Sequence, residues 1–426
     1  MITVSTVLIS FFVLLLIGVP IAYVVLVAAG IGIVGSGFSG VTVVQQTVSG
    51  INSFIMLAVP FFIISGDLAA NGRTSQKIVD SINAFLGHIH GGLGIATIVA
   101  SAFFGAITGS GIATVVAIGA LMLPKLIEAG YPRGFALGII ACSGTLGVMI
   151  PPSIPMLTMA VALQNSVGAQ FLAGFIPGLL TVAAMSTVVA YMAKKLNIPK
   201  AERMPWKQRL IVLKNSFWAL MFPVVILGSI YGGLATPTEA AVISAFYVII
   251  IELFVYKEMT WKSLYKHLGV SIINAATMSV LLATAQALLY YLTSAHVPEA
   301  MLAAVTSTIS SPISVLLILS GIFLILGCFM NIGSAVIILA SVLLPLLREY
   351  GIDVTQFIII ATMMNMIGFI TPPFGLCLFV AMKVGNAGMK EVFEGSWRLL
   401  IALAVVTVLL ILIPELSTIL PTLFYD

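Results

Sequence analysis

The sequence predicts an all-α polytopic membrane protein made of two repeats, each interrupted by a broken helix. Three observations lead there. Of 426 residues, 61% are hydrophobic and 8% charged, and the mean hydropathy is +1.21; a soluble domain carries about 25% charged residues, so this chain has too few to coat a water-facing surface. Apolar runs such as residues 6–35 are long enough to cross a bilayer and do not alternate polar with apolar, which excludes an outer-membrane barrel. A double proline interrupts such a run twice, in GVMIPPSIP (Gly147–Pro155) and in GFITPPFGL (Gly368–Leu376).

Taken in order, apolar blocks fall at roughly 4–34, 51–70, 92–122, 134–163 and 169–193, then at 215–232, 238–256, 269–293, 311–347, 354–382 and 398–425, giving about 11 or 12 membrane elements. The first block lacks a basic leader and is too long for a cleavable signal, so it reads as a retained span. Cys142, Cys328 and Cys377 lie in apolar segments at no metal-binding spacing and read as small core residues.

The two sets of blocks, residues 1–193 and 215–426, are joined by a basic connector, residues 194–214. It holds Lys194, Lys195, Lys200, Arg203, Lys207, Arg209 and Lys214 against Glu202 alone. The positive-inside rule makes it cytoplasmic, with Trp206 and Trp218 suited to the membrane interface. No Lys or Arg precedes residue 70 or follows Arg398, so both termini are expected on the non-cytoplasmic side.

LPKLIEAG (Leu123–Gly130) matches LPLLREYG (Leu344–Gly351) at a shift of 344 − 123 = 221, and the same shift carries Gly147 to Gly368, Pro151 to Pro372 and Pro152 to Pro373. One register therefore spans both motifs, the mark of an internal repeat. Paired prolines remove helix N–H donors and stop a helix. Broken backbone at membrane depth is tolerated only where it is packed in protein or lines a wet cavity. Two breaks at matching places in two halves point to a secondary transporter whose broken helices bind substrate and coupling ion.

The residues around the breaks suit a hard cation, which favours carbonyl and hydroxyl oxygens. GAITGSGIAT (Gly105–Thr114) offers Thr108 and Ser110 among glycines; its counterpart holds Gly327, Asn331, Gly333 and Ser334, with Ser110 aligned to Asn331. Each half then reads as a small-polar segment, a helix of about 30 residues and a Pro-Pro break. The same small residues also suit close helix packing. A third element, VPFFIISGDLAANG (Val59–Gly72), carries Ser65 and Asp67, turns at Asn71-Gly72 and reads as a re-entrant hairpin. Asp67 is an ionisable group in an apolar setting, either functional or a helix cap. Its counterpart lies near residues 281–299, with Gln286 as the polar candidate. Ser65, Asp67, Thr108, Ser110 and Asn331 are the candidate substrate contacts.

With PFFIISGDLAANG, GAITGSGIATVVAIG, IPPSIP, the basic connector and GFITPPFGL together, the chain resembles the large membrane subunit of the tripartite ATP-independent periplasmic (TRAP) transporters, the DctM-like family. The resemblance covers essentially the whole chain. It implies an elevator-type transporter with two inverted repeats and re-entrant hairpins. It implies import of an organic carboxylate across the bacterial inner membrane, driven by Na⁺. It also implies a periplasmic binding protein and a small four-helix membrane subunit as partners, the latter a separate chain here. Sialic acid is the first substrate expected and a C4-dicarboxylate the second. Carried onto matching positions, one Na⁺ site involves Gly327, Gly368 and Thr371, and its mate Ser110 and Gly147. Ile150 stands where the second half has Thr371, and Phe374 where the first has Ser153, so the two sites are not expected to coordinate identically.

Other functions fit less well. TGSG faintly suggests an intramembrane serine protease, but that needs a membrane-buried His base, and His88, His90, His267 and His296 all flank turns or polar segments. No HExxH or P-loop is present, so an enzyme is not expected and accumulation has to draw on an ion gradient. Two repeat sites make at least two Na⁺ per cycle the natural expectation. A channel needs a continuous pore, which a two-fold repeat with broken helices does not suggest. A stand-alone carrier is the remaining alternative, and nothing suggests a nucleic-acid partner.

Overall fold

A computed structural model describes residues 4–52, 54–309, 311–329, 332–372 and 374–425. The first half runs α1 (Val4–Leu16), α2 (Ile21–Gly35), α3 (Gly40–Ser49), a short 3₁₀ turn (Phe54–Leu57), α4 (Ala58–Asn71), α5 (Thr74–Leu86), α6 (Gly92–Thr108), α7 (Gly111–Glu128), α8 (Arg133–Gly144), α9 (Ile154–Ala162) and α10 (Val167–Lys195). The second half runs α11 (Trp206–Tyr231), α12 (Pro237–Ile250), which passes into a π-helical turn (Ile251–Val255), α13 (Trp261–Ser294), α14 (Val297–Thr306), α15 (Pro312–Phe329), α16 (Ile332–Glu349), α17 (Val354–Gly368), α18 (Leu376–Gly385), α19 (Met389–Leu412) and α20 (Glu415–Tyr425).

Several helices start where the sequence supplies an acceptor for their free N–H groups. Ser110, Ser153, Ser166, Thr260 and Asp353 each cap the helix that follows with a side-chain oxygen, and Thr236 and Glu239 form a reciprocal capping box on α12. Among the described residues, seven helical stretches are long and apolar enough to cross a membrane, and the chain is a multi-pass membrane protein.

The 221-residue shift holds helix by helix. Adding 221 to the ends of α7 gives 332 and 349, the ends of α16. Adding it to Gly40, the start of α3, gives 261, the start of α13. The halves differ at that element: α13 is one helix of 34 residues, whereas its counterpart is divided into α3, the 3₁₀ turn and α4.

Several long apolar blocks prove to be helix pairs rather than single spans. Block 92–122 is α6 folded against α7, and block 311–347 is α15 followed by α16. The helix of about 30 residues expected before each Pro-Pro is also two helices: α7 stops at Glu128, the chain turns at Gly130 (φ +87°), and α8 begins at Arg133. Val59–Gly72 is not a hairpin in itself. Residues 58–71 form one helix, the turn falls at Asn71-Gly72 as expected, and α5 is the second arm.

The halves pack crosswise: α9 lies against α16, and α18 against α7. Helices α8 and α19 meet through Gly134, Gly138 and Gly395, where a Cβ on any of the three would collide with backbone of the opposite helix. A separate cluster joins α1 and α2 to α13, with Tyr291 laid across Gly32.

Candidate functional site

The tip of the α6–α7 hairpin is a two-residue turn. Gly109 (φ +58°) ends α6 in a left-handed conformation suited to glycine, and Ser110 caps α7 by accepting from the Ala113 N–H at 3.4 Å. Glycines bring other backbone onto this tip. A Cβ on Gly66 of α4 would lie 2.7 Å from Thr108 Cα, and a Cβ on Gly147 would lie 2.7 Å from both the Ser110 carbonyl oxygen and Thr114 Oγ1.

Three oxygens gather there. The Thr114 hydroxyl donates to the Ser110 carbonyl at 2.8 Å, Thr108 Oγ1 lies 3.2 Å from Thr114 Oγ1, and the Thr108 hydroxyl reaches the Ser110 carbonyl at 3.3 Å. Ser110 and Gly147, paired as site residues on the sequence, are thus in contact. Thr114 was missed, although its spacing of four from Ser110 puts it on the same helix face.

In the second half, Gly327 and Gly368 also meet: a Cβ on Gly368 would lie 2.6 Å from the Gly327 carbonyl carbon. Thr371 lies one turn beyond, with its hydroxyl donating to the Ile367 carbonyl at 2.7 Å and its N–H to Gly368 at 3.1 Å. Beside Gly327 sits Asn365, fully buried, with neither amide atom hydrogen-bonded among the described residues. Such an orphaned group is costly unless something else supplies its partner. No sequence signal marked Asn365, because a lone Asn in TMMNMIG has no motif around it. The break itself is closed by α18, whose Cys377 and Leu378 N–H groups donate to the Phe369 carbonyl at 2.9 and 3.1 Å.

A cavity of about 540 Å³ opens beside the hairpin tip. Asp67, Asn71 and Ile63 of α4 line it, with Thr108–Ala113 of the tip, Ile154 and Pro155 at the start of α9, Asn274, Thr277 and Met278 of α13, and Phe369 and Leu376 from the second half. The Asn274 amide donates to Asp67 Oδ2 at 3.2 Å, so Asp67 faces the cavity and does not cap a helix. Of the candidate substrate contacts, Asp67, Thr108 and Ser110 are brought together. Ser65 is not: it is fully buried on another face of α4, its hydroxyl donating to the Phe62 carbonyl at 3.0 Å. Asn331 lies outside the described residues. Among the described residues no group of three His, Cys, Asp or Glu is gathered, and both glycine-lined clusters are made of neutral oxygens.

The first turn of α7, capped by Ser110 only at the Ala113 N–H, gives this cavity a positive helix end suited to an anion. The hydroxyl and carbonyl cluster behind it has the chemistry of a hard-cation site.

A family model described as the tripartite ATP-independent periplasmic transporter, DctM component, matches residues 8–416. An isethionate TRAP transporter permease, DctMQ, from Oleidesulfovibrio alaskensis is 38% identical over 379 residues; this is 88% of the chain and 60% of that longer relative. The C4-dicarboxylate TRAP transporter large permease DctM of Rhodobacter capsulatus is 35% identical over 400 residues, 90% of each protein. The sialic acid TRAP transporter permease SiaT of Haemophilus influenzae is 32% identical over 412 residues, 96% of this chain and 67% of SiaT. Among solved structures, the YdaH transporter of Alcanivorax borkumensis shares the fold with a TM-score of 0.59 at 14% identity, over 87% of this chain and 86% of that one. The relatives are transporter permeases, not enzymes.

Proposed function

Because the chain belongs to the DctM component family of the tripartite ATP-independent periplasmic transporters, we propose that it is the large membrane subunit of a Na⁺-coupled importer of an organic carboxylate. On this reading a periplasmic binding protein delivers the acid, a small four-helix membrane subunit completes the complex, and the assembly sits in the bacterial inner membrane. The two halves act as inverted repeats moving by an elevator mechanism. The connector, residues 194–214, faces the cytoplasm and both termini face the periplasm. Sialic acid remains the first substrate to try and a C4-dicarboxylate the second.

The observation that carries this reading is the cavity at the hairpin tip. One wall offers the helix end at Ser110, and directly behind it lie the oxygens of Thr108, Ser110 and Thr114 beside Gly147. An acid held at the helix end and a Na⁺ held by those oxygens would share Ser110, which is how binding of one would favour the other. A second Na⁺ at Gly327, Gly368 and Thr371, with the Asn365 amide beside it, would follow the repeat. Nothing here supplies nucleotide-driven energy, and each 100 mV of membrane potential contributes about 2.3 kcal/mol per charge moved.

The test is uptake into proteoliposomes. With the small subunit reconstituted and a loaded binding protein outside, an inward Na⁺ gradient should drive concentrative uptake, and the chain alone should give little or none. Equal uptake of free acid by the chain alone would replace this reading with a stand-alone carrier. Uptake indifferent to Na⁺ would remove the coupling. Pro205→Cys should resist impermeant labelling in intact cells until they are permeabilised; labelling from outside would overturn the topology.

A further inference from the structure

Resting on the carboxylate reading above, we infer that the transported acid carries a single negative charge and turns a hydrogen-bond donor, such as a hydroxyl, amide N–H or ammonium, towards Asp67 and Asn274. Among the described residues lining the cavity, Asp67 is the only ionisable one; no Lys, Arg or His is present. Of the basic groups on adjoining elements, Arg73 pairs with Glu258 at 2.6 Å, Lys125 with Asp80 at 3.4 Å, and Lys77 lies over the Tyr256 ring at 6.0 Å, while Lys262, Lys266 and His267 of α13 and Lys383 of α18 do not line the cavity.

The cavity is therefore polarised. Its tip end presents the Gly111 and Ile112 N–H groups of the first turn of α7, those of Ser110 and Ala113 being taken by the Thr108 and Ser110 hydroxyls, and suits a carboxylate. Its α4–α13 end presents a carboxylate that receives one amide hydrogen, from Asn274 at 3.2 Å, and retains lone pairs for further donors. Gly66 holds α4 against Thr108, so the two ends belong to one compartment and a single small ligand meets both. A second carboxylate on the ligand would have to lie beside Asp67 with no cation to compensate it, a like-charge contact that disfavours binding. A donor at that place instead completes the carboxylate's hydrogen bonding. The arrangement rejects dicarboxylates by repulsion while selecting donor-bearing monocarboxylates by attraction.

The experiment is ligand binding by the purified full chain in nanodiscs with saturating Na⁺, read by calorimetry. The probes are N-acetylneuraminate (a polyhydroxylated monocarboxylate), ectoine (a zwitterion) and succinate. Wild-type protein should bind one or both of the first two at least about tenfold more tightly than succinate. Asp67→Asn should narrow or reverse that ratio by about tenfold or more, whereas Asp67→Glu, which keeps the charge, should preserve the wild-type preference. Elution of both variants as monodisperse species of wild-type size separates a binding change from misfolding. Succinate binding as tight as that of the monocarboxylates in wild-type protein, or an unchanged ratio in folded Asp67→Asn, overturns the inference and leaves the carboxylate reading standing. Failure of all three acids to bind overturns both.

Discussion

Gly66 and Thr108 touch backbone to backbone: a Cβ on Gly66 would lie 2.7 Å from Thr108 Cα and 3.0 Å from its carbonyl oxygen. Helix α4 is thereby seated against the hairpin tip, with Asp67 one residue further on and facing the cavity. Gly66→Val should push the two apart, costing about 1–3 kcal/mol of stability by overpacking and lowering uptake at least about tenfold, since misplacement of about 1 Å at a site is enough for large losses. Uptake assayed beside a thermal melt checks this; wild-type transport would show that the contact is not needed.

Ion coupling in the first half should depend on Thr114. Thr114→Val removes the hydroxyl that bonds the Ser110 carbonyl at 2.8 Å and keeps the shape. The half-saturating Na⁺ concentration for uptake is expected to rise several-fold, as loss of one ligand worth about 1 kcal/mol implies. In the second half Thr371→Val should act in the same direction, with the Ile367 carbonyl losing its 2.7 Å donor as well. Ile150→Val, at the mirror position of Thr371, removes no oxygen and should leave Na⁺ dependence unchanged.

Asn365 gives a sharper test because its amide is buried without a partner. Asn365→Leu replaces an unsatisfied polar group by an apolar one of similar size, which is neutral or stabilising when nothing satisfies the polar group. The variant should therefore melt at or above the wild-type temperature without Na⁺, yet gain less from added Na⁺. A lower melting temperature in Na⁺-free buffer would mean that the amide is already satisfied.

Glu252, fully buried in the π-helical turn, accepts from the Arg73 N–H, the Thr74 N–H (both 2.9 Å) and the Thr74 hydroxyl (2.5 Å), capping α5 from the other half of the chain. Glu252→Ala strips that cap and should destabilise the protein by about 1–3 kcal/mol, the cost of leaving buried donors unsatisfied. Thermal melting checks it, and Glu252→Gln should fall between the variant and wild type.

If two Na⁺ accompany one monoanion, each cycle moves one net positive charge inwards. Uptake should then speed up when a K⁺ diffusion potential makes the vesicle interior negative. Indifference to potential would mean that charge is balanced, as for two Na⁺ with a dicarboxylate.

Much of this was legible in the sequence. The 221-residue register follows from LPKLIEAG, LPLLREYG and the two double prolines, and it extends to helix boundaries far from those motifs. Asp67 stood out because a charge in an apolar helix is costly. The α6–α7 hairpin was hidden because Gly109 and Ser110 are too brief an interruption to dent a hydropathy average. Asn274 and Thr277 lie in a mixed polar stretch, SIINAATMS, where no one residue is conspicuous, and only the fold carries them to Asp67. Ser65 falls outside the cavity for a related reason: two residues along a helix turns a side chain by about 200°, away from the side that Asp67 faces.

The crossing of α8 and α19 restricts how this chain can change over generations. A bulky side chain in a core is commonly accommodated when its neighbour shrinks, so a lineage can exchange one pair of residues for another in two steps. Between Gly134, Gly138 and Gly395 the opposing surface is main chain, and main chain has nothing to trim. A mutation to alanine at Gly138 therefore has no size-compensating partner. Suppressors selected against it should map to residues that set the tilt of the two helices and not to the crossing point itself.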